Sequence, residues 1–213
     1  MNYAMIFRIL GWMLVFEAGF MAPSAIVAAI YREASVIWLF VSMGIVTAAG
    51  LLLRAVSRSR HHRIYAREGA VICALIWFLY SIFGALPFKL SGYIPDMFDA
   101  VFETASGFTT TGASILSDVE ALPHWLLFWR SFTHWVGGMG ILVFVMAIIP
   151  LASGGSAMYL MKAESPGPSV KKMVPKASQT AGLLYKMYIF LTVLQLLFLV
   201  LGRMPLFDAL CIT

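Results

Sequence analysis

Residues 96–106, Asp96-Met97-Phe98-Asp99-Ala100-Val101-Phe102-Glu103-Thr104-Ala105-Ser106, run directly into Gly107-Phe108-Thr109-Thr110-Thr111-Gly112-Ala113-Ser114. The first stretch reads as a short amphipathic helix and the second as an irregular loop rich in threonine and glycine. Neither can cross a bilayer, which takes about 20 predominantly apolar residues in a helix. Apolar segments long enough to cross stand on both sides, over residues 69–88 and 124–150. The stretch between them is therefore expected to enter the membrane from one face and return to it without crossing.

Non-helical backbone at membrane depth is tolerable only where protein or a water-filled cavity satisfies its polar groups. A loop of this composition can present carbonyl oxygens, whose dipoles replace the water shell of a cation in a potassium filter. Gly112 supplies backbone angles that a side chain obstructs, Thr110 adds a hydroxyl beneath the carbonyls, and the negative end of the preceding helix favours a cation. Composition alone favours a Thr/Gly-rich surface turn. The position between two spans, behind an amphipathic helix, favours the re-entrant loop.

The rest of the chain carries the same message. Of its 213 residues 61% are hydrophobic and only 12% charged, against about 25% charged in a soluble domain, and the mean hydropathy is +0.88. A water-soluble fold is excluded. Cys73 and Cys211 both sit in apolar stretches and offer neither a disulfide framework nor a redox or metal spacing. The net charge of +5 gathers beside apolar runs and not in a patch interleaved with aromatics, so no nucleic-acid partner is expected. His61, His62 and His134 lack further ligands at zinc spacing. No nucleophile, base and orienting acid come together as an enzyme requires, and the tryptophans indicate packing or interfacial positions without a cofactor.

Five crossings are expected, over residues 5–30, 34–53, 69–88, 124–150 and 177–203, the first holding Glu17 and kinked by Pro23. Arg54, Arg58, Arg60, His61, His62, Arg63 and Arg67 form one basic loop, and Lys162, Lys171, Lys172 and Lys176 another. The positive-inside rule places both, and with them the N-terminus, in the cytoplasm. Asp96, Asp99, Glu103, Asp118 and Glu120 then fall toward the outer side. The first apolar segment reads as a retained helix, not a cleaved signal.

Phe98-Asp99-Ala100-x-x-x-Thr104 returns as Phe207-Asp208-Ala209-x-x-x-Thr213, each time after an outward-going span. A unit of span, pore helix, filter and returning span is expected to begin again there, with a continuation beyond Thr213.

Gly84-Ala85-Leu86-Pro87-Phe88, the run 106–114, Phe128-Trp129-Arg130-Ser131, Gly137-Gly138-Met139-Gly140 and Ala163-Glu164-Ser165-Pro166-Gly167-Pro168 together resemble the Trk/Ktr superfamily of bacterial potassium-uptake proteins, most closely its Trk-type membrane subunit. The resemblance implies an all-α polytopic membrane protein of the bacterial cytoplasmic membrane. Residues 1–60 would be two leading transmembrane helices, 61–161 a complete span–pore-loop–span repeat, and 162–213 a cytoplasmic connector with the first helix of a second repeat. It further implies four such repeats around one pathway in the whole protein, a homodimer, and a cytosolic nucleotide-binding regulatory subunit. Carried onto this chain, the potassium-binding filter is Thr110, Thr111, Gly112 and Ala113, with Thr109 and Ser114 at its margins, and the glycine at 112 favours potassium. The competing reading is a non-conducting structural or regulatory membrane fragment.

Three further expectations concern single residues. Arg130 is costly inside a membrane and is expected to brace the filter through Glu103, the alternative being a side chain that snorkels to the interface. Gly137, Gly138 and Gly140 serve either close helix packing or a hinge, packing being favoured. Glu17 is expected to be a satisfied structural carboxylate and not an ion site.

Overall fold

The structure is a computed structural model that describes residues 3–57, 66–140 and 177–213. The basic loop over 58–65, the inner part of the helix expected up to residue 150 and the lysine-bearing connector 162–176 lie outside the described residues. Within them the ordered elements are α1 (Tyr3–Phe20), α2 (Ala22–Tyr31), a 3-10 turn (Ala34–Val36), α3 (Ile37–Val56), α4 (Ala66–Gly84), α5 (Leu86–Ser91), α6 (Met97–Phe108), α7 (His124–Gly138), α8 (Ala177–Leu201) and α9 (Leu206–Ile212).

Among the described residues four stretches are long and apolar enough to cross a membrane: Tyr3–Tyr31, Ala34–Val56, Glu68–Ser91 and Gly182–Leu201. Two are broken helices, and each break has a proline just beyond it. Pro23 stands in the first turn of α2 and Pro87 in the first turn of α5, where the absent N–H costs nothing because first-turn donors have no partner in the helix anyway. The break at Pro23 follows the sequence expectation. The one at Ala85 does not, because 69–88 reads as an uninterrupted apolar run.

Residues 3–57 and 75–138 form one compact unit; 66–74, 139–140 and 177–213 belong to a second. In the first unit α1 and α3 lie antiparallel with their backbones in contact. A Cβ on Gly11 would stand 2.6 Å from the Gly50 carbonyl oxygen, and one on Gly50 would stand 2.7 Å from that of Gly11. Small residues facing each other in this way let membrane helices approach closely. Arg54 covers the ring of Trp12 at 3.8 Å, a cation–π contact, and the Ser57 hydroxyl donates to the Ala4 carbonyl.

In the second unit α8 is apolar all round, with Phe190, Phe198 and Leu201 largely exposed, as befits a segment surrounded by lipid or other helices. The recurring Phe-Asp-Ala-x-x-x-Thr motif opens α9 as it opens α6. In both copies the Ala is fully buried and the Thr hydroxyl donates to its carbonyl, at 2.9 Å for Thr104 to Ala100 and 2.6 Å for Thr213 to Ala209. The copies differ at the cap. Asp96 accepts from the Phe98 and Asp99 amides at 2.7 and 3.2 Å, a conventional N-cap, whereas Pro205 at the start of α9 makes no side-chain cap.

Candidate filter loop and its support

The loop after α6 is shaped by how that helix ends. Thr110 N–H donates to the Gly107 carbonyl and Thr111 N–H to that of Ser106, both at 2.9 Å. This pair of bonds is the Schellman closure, in which the residue after the cap takes the left-handed conformation that glycine usually supplies. Here that residue is Thr110, at φ +55°. A β-branched residue at positive φ is under strain, roughly 1–2 kcal/mol of it. α6 consequently runs two residues past the expected stop, taking in Gly107 and Phe108.

Gly112 is the second left-handed residue, at φ +75°, and a Cβ there would meet nothing within 4 Å. The backbone angle, not lack of room, is what requires glycine. Successive carbonyls of an extended strand point to opposite sides; two positive φ values in three residues break that alternation. Thr109 to Ser114 are all exposed. Among the described residues no hydrogen bond engages the carbonyl oxygens of Thr110, Thr111 and Gly112. The Ala113 carbonyl is different, since it accepts from the Ser106 hydroxyl at 2.6 Å and thereby ties the loop back to its helix. The threonine hydroxyls are also committed: Thr110 to the Thr109 carbonyl at 2.7 Å, and Thr109 and Thr111 to each other at 2.8 Å.

Behind the loop, Glu103 and Arg130 are brought together. Arg130 Nε donates to Glu103 Oε1 at 2.6 Å, with the glutamate side chain 1% and the arginine 15% exposed. The remaining acceptor capacity of Glu103 goes to the loop. The Ser114 hydroxyl lies 3.0 Å from both carboxylate oxygens and the Ile115 amide donates to Oε2 at 3.1 Å. One carboxylate thus joins α6, α7 and the far end of the loop, and its charge is both paired and hydrogen-bonded, as a buried ion pair requires.

α6 meets α7 through two glycines. A Cβ on Gly107 would lie 2.1 Å from Thr133 Oγ1, and one on Gly137 would lie 2.1 Å from the Phe108 carbonyl oxygen. The Phe108 ring, fully buried, fits between Tyr80 at 5.4 Å and Trp129 at 6.3 Å, and Trp129 Nε1 donates to the Gly84 carbonyl at 3.0 Å. Thr104 Oγ1 reaches the Ser81 carbonyl at 2.7 Å, joining α6 to α4. Gly138 is the last residue of α7 and Gly140 has φ +69°. α7 therefore ends at the glycine cluster, and residues 141–150, over which the sequence suggested continuation, lie outside the described residues.

Glu17 departs from expectation. It is fully buried in α1, against Gly84, and neither carboxyl oxygen has a hydrogen-bond partner among the described residues. A buried polar group without a partner is a net cost. Glu17→Met, of similar length, is expected to raise the melting temperature of the detergent-purified protein by several degrees, on the scale of about 1–4 kcal/mol for apolar replacement of buried ionic groups. An unchanged or lowered midpoint would mean that the carboxyl is satisfied after all.

Sequence reasoning missed a third set of contacts, in which Glu33 approaches the first turn of α7. Glu33 and His124 are 91 residues apart, and no local pattern links them. It also missed Ser106, whose hydroxyl fixes Ala113.

Comparison with known proteins agrees with this architecture. The family model described as "TrkH: Cation transport protein" matches residues 36–209. The chain is 37% identical over 213 residues to the Trk system potassium uptake protein TrkH of Halomonas elongata, covering 99% of this chain and 44% of that protein. To the protein of the same name from Escherichia coli strain K12 it is 38% identical, with 98% and 44% covered. The crystal structure of the potassium transporter TrkH from Vibrio parahaemolyticus superposes with a TM-score of 0.79 at 31% identity, over 99% of this chain and 42% of that one. The chain thus spans less than half the length of these relatives. It is a multi-pass, all-helical membrane protein, and it belongs to the TrkH family of cation transport proteins.

Proposed function

We propose that this chain contributes one filter segment and its supporting helices to a potassium-uptake pathway. The observation that carries the reading is the exposed loop 109–114, in which Thr110 and Gly112 hold positive φ and three consecutive carbonyls accept no hydrogen bond among the described residues. A potassium ion exchanges part of its water shell for such oxygens and moves down its electrochemical gradient. No covalent bond forms or breaks, so permeation calls for no enzyme chemistry and no cofactor. Thr110, Thr111 and Gly112 offer their carbonyls to the ion, Ala113 holds the loop through Ser106, and Thr109 and Ser114 mark its margins. Glu103 and Arg130 support it from behind.

The same reading places residues 1–60 as a leading pair, 61–161 as a span–pore-loop–span repeat and 162–213 as a connector and second-repeat start. The N-terminus faces the cytoplasm of a bacterial cell and the loop opens to the outside. Partners in the whole assembly are a second copy and a cytosolic nucleotide-binding regulatory subunit. The names of the relatives, which are potassium uptake proteins, support potassium as the transported ion.

The test is potassium-limited growth of an uptake-deficient bacterium expressing these residues together with whatever its gene encodes beyond Thr213. Rescue is expected, and failure of a well-expressed product to restore growth would overturn the reading. Gly112→Ser, forced to hold φ +75° with a side chain at about 1–2 kcal/mol, is expected to reduce discrimination of potassium over sodium by roughly tenfold, at about 1.4 kcal/mol per decade. Rubidium and sodium flux in membrane vesicles measures it.

A further inference from the structure

α7 begins without a cap of its own. The residue before His124 is Pro123, which has neither a side-chain acceptor nor an N–H, yet the first amides of a helix need acceptors. They find them in Glu33. Its Oε1 accepts from the His124 amide at 2.9 Å and lies 2.9 Å from His124 Nδ1, while Oε2 accepts from the Trp125 amide at 3.2 Å. The negative charge also suits the positive end of the helix dipole.

Two neighbours of Glu33 complete the grip. Tyr31 stacks on the His124 ring at 3.8 Å and 8°, and Ser35 Oγ accepts from Trp125 Nε1 at 2.9 Å. Glu33 is itself fixed by the way α2 ends, with Arg32 at φ +55° and Glu33 N–H donating to the Ala28 carbonyl at 3.0 Å. The turn between α2 and α3 therefore sets both the height and the rotation of the outer end of α7. Arg130 lies six residues further along that helix, about 9 Å at 1.5 Å per residue. A helix turns through about 100° per residue, so a slip of one position at the cap would swing Arg130 off Glu103 and release Ser114 and Ile115.

We propose that Glu33 is a positioning residue for the filter loop, acting through α7 and the Arg130–Glu103 pair on a segment it does not touch. The inference rests on the permeation reading above. It gives the leading helices a part in ion discrimination.

The test compares Glu33→Ala, Glu33→Gln and, as a control, Arg54→Ala, which loosens the leading pair at its other end. Each is made in the longest product of the gene, with its amount in the membrane and its melting temperature measured beside potassium, rubidium and sodium flux. Glu33→Ala is expected to lower potassium-over-sodium discrimination about fivefold, the lower end of coupling between separated sites. Glu33→Gln, which keeps one acceptor, should recover part of it, and Arg54→Ala should lower stability alone. If Glu33→Ala does not reach the membrane, Glu33→Gln alone is read against wild type, with a smaller loss of discrimination expected. Wild-type discrimination in the folded Glu33 variants overturns the inference, and so does an equal loss in Arg54→Ala. Absence of potassium flux from the wild-type protein instead overturns the permeation reading.

Discussion

Replacing Arg130 by methionine is expected to destabilise the protein by about 3–5 kcal/mol, the cost of removing one partner from a buried ion pair. The guanidinium leaves behind a carboxylate that is 1% exposed. The Ser114 hydroxyl and Ile115 amide on Glu103 do not neutralise a full charge. At about 2–4 °C per kcal/mol for a chain of this size, the melting temperature in detergent should fall by roughly 10 °C. A second substitution identifies the cause. Glu103→Gln in the Arg130→Met background removes the stranded charge but keeps an acceptor for the loop, so the double variant should melt above Arg130→Met alone. If both melt together, lost packing of the arginine, not the unpaired charge, accounts for the drop.

Gly137→Ala is the second large effect. Its new methyl would lie 2.1 Å from the carbonyl oxygen, 2.7 Å from the carbonyl carbon and 3.0 Å from the Cα of Phe108. All three are backbone atoms at the end of α6, so no side-chain rotation relieves the clash and the two helices must part. The expected loss is at or above the roughly 1–3 kcal/mol of an overpacked core, together with disorder around the Phe108 ring. Gly107→Ala is the informative companion, because its obstacle is a side chain. Thr133→Ala should rescue Gly107→Ala in part and leave Gly137→Ala unchanged. Gly44→Ala, with nothing within 4 Å, is the helical control and should gain up to about 1 kcal/mol from propensity. Thermal unfolding of the three glycine variants, of Thr133→Ala and of its two combinations decides the matter, and a Gly137→Ala protein as stable as wild type would refute the close-packing account.

Four of the five expected spans were legible because hydrophobicity over about 20 residues is a long signal that survives local irregularity, while the one over 124–150 runs beyond the described residues. The loop was legible because its threonines and glycines follow a short amphipathic helix between two apolar runs. Glu103 and Arg130 could be paired in advance because two opposite charges in a low-dielectric region have strong reason to meet. What remained hidden depended on backbone detail or on distance along the chain. The end of α6 was misplaced because glycine at 107 looks like a stop, while the true left-handed position falls on a threonine. The break at Ala85 lay within an apolar run, although Pro87 gave a usable hint. Glu17 was expected to have partners, and nothing in the surrounding residues reveals that α1 presents it to Gly84. Glu33 could not be linked to His124 without the fold, yet a helix preceded by proline and lacking a cap is itself a sign that the cap comes from elsewhere.

The mutual contact of Gly11 and Gly50 also sets an order of events in time. Every residue of that crossing, with Arg54 on Trp12 and Ser57 on Ala4, is synthesised before α4. Chains assemble from the N-terminal side during synthesis, so the α1–α3 hairpin can close while the rest is still being translated. Glu33 then stands near its tip as a prepared acceptor until His124 arrives 91 residues later. The hairpin thus acts as a template for the later helix, and a slow or failed closure at Gly11 should show first as delayed membrane assembly of α7.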